Sequence, residues 1–460
     1  MFDLPFCSDM KKVSFHTLGC KLNYAETATL EKQFVDRGFA IVPFNEKADV
    51  CVVNTCSVTE RSDRECRQVV RRALRTSPEA FVAVLGCYAQ LRPEEIASID
   101  GVDVVLGAAE KFHLFDHAID FQKFDAPKVF VGSINDVSDF GPAYSGGVDG
   151  RTRAFLKVQD GCDFNCSFCT IPLARGKSRS QSVEDCLLQA EHLADQGYNE
   201  IILTGVNVGD YGKHDGSSLL ALLRQLEKIE GVKRIRVSSI EPNLVTPELL
   251  RFWVSSEKMC NHFHIPLQSG SDEILRKMRR RYTTDDYRKL VDTIRSCSPN
   301  AGIGADVIVG FPGETDELFA ASVQFLEQLN VSYLHVFTYS ERPDTPSLSL
   351  SGRVEPRERF RRSETLRMLG QKKKETFCRS QIGSNHALLV EGTIENNMLS
   401  GFTRNYLRVF VPAEANLVNT IVDVRVDAAA EEGCLGTILR THTTRLHSYS
   451  SSFMSQSVGL

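Results

Sequence analysis

The sequence predicts an α/β protein in three parts: an open parallel sheet, a partial (βα)6 TIM-like barrel and a small antiparallel β-barrel. Three observations carry this. Short apolar runs alternate with amphipathic helical stretches up to about residue 125, six strand–helix units follow between 155 and 338, and strands separated by turns take over from Gln381. Alternation of strand and helix selects parallel sheets with right-handed crossovers. The expected boundaries are 11–125 and 151–380 for the two α/β domains, 126–150 for a linker, 381–445 for the β-barrel and 446–460 for a disordered tail. A hydrophobic content of 42% and a charged content of 25% are ordinary globular values. The net charge of −5 excludes a protein coated in positive charge, so any nucleic acid must be met by local patches. Fourteen cysteines without a dense disulfide framework point to a reducing, cytoplasmic compartment. No apolar run reaches membrane-spanning length, so no membrane contact is expected.

In the first domain, residues 13–18 read as a strand leading into Gly19 and Cys20, and 26–37 as a helix stopped by Gly38. Residues 39–42 and 50–53 are buried strands, the second leading to Cys56. A helix over 58–74 carries Cys66, Val69, Val70, Ala73 and Leu74 on one side and a row of arginines on the other. The strand 81–85 ends at Cys87, Pro93 opens a further helix, and 102–106 is another strand. Cys20, Cys56 and Cys87 therefore each lie just after a strand. Loops at the carboxyl ends of parallel strands share one edge, so these thiols are expected to converge on an iron site rather than pack separately. Cys51, inside its strand, and Cys66, on a helical apolar face, read as packing residues.

The linker holds Pro127, Gly141-Pro142 and Ser145-Gly146-Gly147. Barrel strands are expected at 155–158, 201–204, 235–238, 263–267, 305–309 and 333–338. Active groups gather at the carboxyl ends of such strands. After the first comes Cys162-Asp163-Phe164-Asn165-Cys166-Ser167-Phe168-Cys169. Three thiolates so spaced fit one [4Fe–4S] cubane and leave one iron open. Structural zinc usually needs paired knuckles or Cys/His sets, and no companion knuckle is near. The spacing, with an aromatic before the third Cys, resembles the radical-SAM signature, in which S-adenosylmethionine (SAM) chelates the open iron. Gly205, Glu241, Gln268 and Ser269 follow the second, third and fourth strands and are assigned to SAM. His262 and His264 alternate along a strand and show no carboxylate partner in the sequence.

Basic groups flank this site at Arg175, Lys177 and Arg179 and at 276–281; residues 353–379 hold ten Lys/Arg against four acids. Such patches suit phosphates. In the last domain, strands at 387–390, 406–411, 421–426 and 435–439 are separated by turns at Gly392, Asn396-Asn397 and Gly401. Phe402, Arg404, Tyr406 and Arg408 mix aromatic and cationic groups able to stack bases and meet phosphates. With Arg175 and Arg179 they are the expected RNA contacts.

Thr17-Leu18-Gly19-Cys20, Asn54-Thr55-Cys56-Ser57-Val58 and Gly86-Cys87-Tyr88-Ala89-Gln90 resemble the three ligand motifs of the methylthiotransferase family. The resemblance spans nearly the whole chain, in the order cluster domain, radical-SAM barrel, TRAM domain. Residues 23–27 depart slightly from the family pattern, at positions that hold no iron ligand. The segments 17–21, 168–176 and 236–242 look most like the branch acting on N6-threonylcarbamoyladenosine. The resemblance implies two [4Fe–4S] clusters, SAM as radical source and methyl donor, the tRNA anticodon stem-loop as substrate, an electron donor and a sulfur source. It also fits the chemistry: the adenine C2–H is not acidic and carries no leaving group, so acid–base or nucleophilic catalysis cannot replace it with sulfur. Two rivals share that chemistry, with isopentenyladenosine in tRNA or a ribosomal-protein aspartate as substrate. A third, a non-catalytic iron–sulfur redox or RNA-sensing protein, would release no 5′-deoxyadenosine from SAM and reductant.

Overall fold

A computed structural model describes residues 10–442 apart from 138–139, 142 and 145–151. The tail expected at 446–460 lies outside the described residues. The first domain is a wholly parallel six-stranded sheet in the order β2-β1-β3-β4-β5-β6. Its strands are β1 (Lys12–Thr17), β2 (Ala40–Val42), β3 (Val50–Thr55), β4 (Phe81–Gly86), β5 (Val104–Leu106) and β6 (Lys128–Phe130). The central β3 and β4 are buried on both faces, as continuous apolar runs require. Helices α1 (Lys21–Val35), α2 (Glu60–Thr76), α3 (Cys87–Leu91), α4 (Pro93–Ala97) and α5 (Leu114–His117) make the crossovers. Helix α2 buries Cys66, Val69, Val70 and Ala73 as its pattern predicts, and Thr59 caps it by accepting from the Ser62 N–H. Two expectations shift. Helix α1 starts at Lys21 instead of residue 26, with Cys20 as an N-cap whose side chain accepts no capping bond and so left no signal. The sheet also takes β6 from the segment read as linker. That strand is short, largely exposed and at the sheet edge, and lacks an apolar run.

The second domain is an open barrel. Its wall strands are β7 (Arg153–Lys157), β10 (Glu200–Thr204), β11 (Arg234–Val237), β12 (His262–His264), β13 (Gly302–Val309) and β14 (Tyr333–Thr338). β7, β10 and β11 form one parallel set and β12, β13 and β14 another. The Ile235 amide donates to Lys258 and the Cys260 amide to Ile235, which joins the two. Between β7 and β10, the two-residue strands β8 (Gln159–Asp160) and β9 (Arg179–Ser180) zip the ends of the thiol loop together. Helix α6 (Ile171–Arg175) lies within that loop. Helices α7 (Val183–Asp195), α8 (Leu219–Leu226), α9 (Pro247–Ser255), α10 (Asp272–Lys277), α11 (Thr284–Cys297) and α12 (Asp316–Gln328) complete the units. One large apolar core lies between strands and helices and includes Leu156, Leu203, Val237, Trp253 and Phe263.

Helix α13 (Pro356–Ser380) packs on β14 and leads to a closed five-stranded barrel. The last strands are β15 (Asn385–Glu395), β16 (Met398–Thr403), β17 (Arg408–Pro412), β18 (Ile421–Ala430) and β19 (Gly433–His442), in the order β15-β16-β17-β19-β18. Closure is not purely antiparallel, because β17 and β19 run parallel. β16 was hidden by Gly401, whose missing side chain lets Leu389 O sit 2.0 Å from where a Cβ would be.

The small barrel docks on the amino-terminal ends of the large barrel's strands. Arg236 gives its guanidinium to Glu200 (2.7 Å) and to the Thr403 carbonyl (3.1 Å), and Arg234 donates to the Ala387 carbonyl (2.7 Å). Burial pushes the Glu200 carboxyl up, but Arg236, Arg153 and Arg234 outweigh it and hold it at about 2. The unfolded value is near 4.3. Stability from this group is therefore complete above that value and is lost only as pH falls through about 2. Arg236→Met takes from the buried Glu200 the closest of its three cations, for a cost of about 3 kcal/mol, the low end for breaking a buried pair. The expected outcome is a lower thermal midpoint together with proteolytic release of the last domain near residue 381; a variant as stable as the wild type would contradict it.

Candidate active site between two cysteine trios

Cys20, Cys56 and Cys87 lie at the carboxyl ends of β1, β3 and β4. They come close enough to act on one another: burial, with Cys87 and Cys20 adding to it, pushes the Cys56 thiol up to about 12. Gly19, at φ +99°, permits the approach, since a Cβ there would stand 2.6 Å from Cys56 Cβ. Cys162, Cys166 and Cys169 form the second trio. Burial first, and Cys166 second among the groups that raise them, push the Cys162 and Cys169 thiols up to about 12. Thiols so placed stay protonated until a metal takes the proton's place.

The surroundings fit anionic, thiolate-bound clusters. Arg175 Nε stands 3.3 Å from Cys87 Sγ, Arg280 Nη1 stands 3.1 Å from Cys166 Sγ, and the Phe164 amide donates to Cys162 Sγ at 3.4 Å. Hydrogen bonds to cluster sulfurs stabilise the charged form. Arg280 also pairs with Glu241.

Arg175 is only 2% exposed and belongs to a buried ionic network. Its guanidinium reaches Glu26 (2.9 Å), Asp160 (3.0 Å) and Asn23 (2.6 Å). Lys111 binds Glu26 at 2.6 Å, and Lys157 sits 2.9 Å from Asp160 and 3.3 Å from Glu26. Burial alone would raise the Glu26 carboxyl; Arg175, Lys111 and Lys157 outweigh it and hold it below the carboxylate range. Three fully buried cations thus face two carboxylates, and the surplus positive charge lies beside Cys87. Arg175 is therefore an internal anchor and not an RNA contact. Arg179 is likewise turned inward, to Asp160 and the Arg175 carbonyl. Asn23 and Glu26, in the stretch that departs from the family pattern, sit in this network.

The loops that carry the trios touch. The Thr170 hydroxyl, next to Cys169, donates to the carbonyl of Ser57, next to Cys56 (3.3 Å). A cavity of about 240 Å³ opens here, lined by Val58, Cys169, Thr170, Gln268, Asp306 and Phe337 among others. Gln268 thus borders it, at φ +71°. Gly205 instead makes room for Gln159, and Ser269 is buried, accepting from the Ser271 amide at the cap of α10. His264, for which the sequence showed no carboxylate, meets Asp306 at 2.9 Å, and His335 meets the same oxygen at 3.2 Å. The buried His262 bonds Tyr333 (2.7 Å).

The residues expected to hold RNA in the last domain mostly face the large barrel. Tyr406, at φ +67°, stacks between His262 (4.3 Å) and Phe402 (4.6 Å), and Arg404 donates to the Met259 carbonyl (2.6 Å). Arg408 stays at the surface, beside a 360 Å³ groove shared with Arg367, Lys374 and Phe377 of α13. Two of the ten basic residues at 353–379, Arg359 and Arg362, are buried partners of Glu341 and Glu314.

An open barrel of six parallel strands with a three-cysteine loop after the first defines a radical-SAM protein. Residues 156–326 match the Radical SAM superfamily, and residues 12–107 match an uncharacterized protein family, UPF0004. A radical S-adenosylmethionine methyltransferase, TsrM of Kitasatospora setae, shares the fold with a TM-score of 0.52 over 74% of this chain and 77% of that one, at 17% identity. The chain belongs to the methylthiotransferase family, in its threonylcarbamoyladenosine branch. It is 38% identical to the threonylcarbamoyladenosine tRNA methylthiotransferase MtaB of Bacillus subtilis over 91% of this chain and 94% of that one. The corresponding figures for MtaB of Aquifex aeolicus are 41%, 86% and 96%.

Arg175→Gln removes both the surplus cation and the donor to Cys87. Reconstituted protein is expected to fall from about eight irons, two cubanes, to about four, while still cleaving SAM. Unchanged iron would show that Arg175 is dispensable to the amino-terminal trio.

Proposed function

We propose that the protein is a tRNA-modifying radical-SAM methylthiotransferase that converts N6-threonylcarbamoyladenosine at position 37, in the anticodon stem-loop, into its 2-methylthio derivative. The observation that carries this reading is the cavity where the two cysteine loops meet, lined by Cys169 from one and by Val58, two residues after Cys56, from the other. On this reading, Cys162, Cys166 and Cys169 hold the SAM-binding [4Fe–4S] cluster, and Cys20, Cys56 and Cys87 hold the auxiliary one. These groups supply a 5′-deoxyadenosyl radical, the sulfur and the methyl group. The chain supplies position and exclusion of water. Thr170 ties the two loops together, Arg280 steadies the Cys166 side, and Arg175 the Cys87 side. Gln268 and Glu241 border the space for SAM, while Gly205 and Ser269 shape the loops behind it.

RNA is met outside the cavity. Arg367, Lys374 and Arg408 line the groove between α13 and the small barrel, beside the amino-terminal end of β14, where a phosphate backbone finds cations. Turnover also needs an electron donor and a sulfur source, which complete the partner set. No helix among the described residues is long and apolar enough to cross a membrane.

Replacing Cys162, Cys166 and Cys169 by Ala is expected to abolish formation of 5′-deoxyadenosine. Replacing Cys20, Cys56 and Cys87 should leave abortive SAM cleavage without thiolation, and unchanged thiolation would refute the sulfur-donor role. Nucleoside analysis of bulk tRNA from a strain lacking the gene tests the substrate. The 2-methylthio derivative of threonylcarbamoyladenosine should disappear; loss of the isopentenyl derivative instead would overturn that assignment.

A further inference from the structure

Inward-facing positions of the large barrel enclose a lumen below the two trios. They include Arg153 and Phe155 of β7, Glu200 and Ile202 of β10, Arg236 of β11, His264 of β12, Asp306 of β13, and Tyr333, His335 and Phe337 of β14. Helix α1 of the first domain lies against this lumen: Ala25 packs with Phe155 and Ile202. One turn earlier on α1 stands Lys21, immediately after the candidate ligand Cys20. Its electrostatic neighbours are Tyr406, Arg153, Arg236 and Glu200, and His262 feels it too. The half-buried Lys21 side chain thus reaches into the lumen from beside the sulfur-presenting site.

The lumen's charges are committed, with one exception. Arg236 holds Glu200, Arg153 holds Glu391 (2.8 Å), and Asp306 is held by His264 and His335. Among the described residues the Lys21 ammonium has no hydrogen-bond or ion-pair partner. A cation in a desolvated space with every nearby carboxylate taken is a site for an anionic ligand. The lumen also carries unused aromatic surface: Phe337 is 48% exposed although it is on the inner wall, where it borders the cavity between the trios. An exposed ring of that kind offers a base a stacking face.

We propose that Lys21 is the carboxylate anchor of the nucleoside pocket and that Phe337 is the face on which the base lies, so that the pocket selects an adenine bearing an acidic N6 substituent. This rests on the substrate reading above and deepens it. In the purine ring C2 and C6 are separated by N1 alone. A substituent on N6 therefore lies close to the carbon that takes sulfur, as Lys21 lies beside the residue assigned to present it. The same arrangement disfavours an uncharged isopentenyl group, which would leave the ammonium desolvated and unpaired.

The test compares two anticodon stem-loops that differ only at the threonyl carboxyl, free acid against carboxamide, in binding to the reconstituted full-length chain. Wild type is expected to prefer the acid by about tenfold or more, the range of one charge-assisted contact. Lys21→Met should bind both as weakly as wild type binds the amide, whereas Lys21→Arg keeps the preference. Equal binding of the two loops by wild type overturns the proposal without recourse to any variant. A preference for the acid that survives in Lys21→Met overturns it while leaving the substrate assignment intact. A wild-type preference for an isopentenyladenosine stem-loop over both overturns the substrate assignment and the anchor together.

Discussion

The architecture depends on a buried ionic cluster at the seam of two domains. Glu26 and Lys111 come from the first domain, and Lys157, Asp160 and Arg175 from the second. Isolated, each would be costly to desolvate; together they satisfy one another except for one positive charge. That charge is spent on the Cys87 sulfur. The same contacts that lock the domains thus prepare the amino-terminal trio for an anionic group. Because Arg175 ends the helix that follows Cys169, the two cysteine loops are held by one short segment and cannot drift apart independently. A polar seam gives this orientation more definitely than an apolar one, since a shift of an ångström would leave a buried charge unpaired.

A second polar seam fixes the third domain. Arg234 and Arg236 point out of the large barrel's amino-terminal end and donate to backbone carbonyls of the small barrel. Carbonyl acceptors carry no side-chain identity, so such docking is written in the arginines alone. Tyr406 fits the same pattern: a bulky residue in the left-handed region is strained, and here it is kept there by stacking on both ring faces.

Much of this was legible in the sequence, for definite reasons. Strands such as 81–85, wholly apolar, and the amphipathic helix at 58–74 announce themselves through periodicity. The six cysteines were legible because a strand followed at once by a thiol repeats three times, and because three more share one loop. What stayed hidden was pairing across domains. Arg175 looks like a surface cation beside Lys177, and nothing local says that Glu26, far away in sequence, will bury it. Phe402, Arg404 and Tyr406 read as a nucleic-acid surface by composition, and nothing local says that Tyr406 will stack on His262 or that Arg404 will donate to the Met259 carbonyl. β6 and β16 escaped for a different reason: one is an exposed edge of three residues, and the other is interrupted by Ser400 and Gly401.

Docking of the small barrel has a consequence for the large one. Residues 402–406 are seated against the base of the large barrel, beneath His262 and Tyr333, so they form the floor of the space in which a carbon-centred radical must survive. A module usually regarded as a handle for nucleic acid is here also a stopper. Its removal would leave the chamber leaking solvent from below even with a perfect complement of metal above.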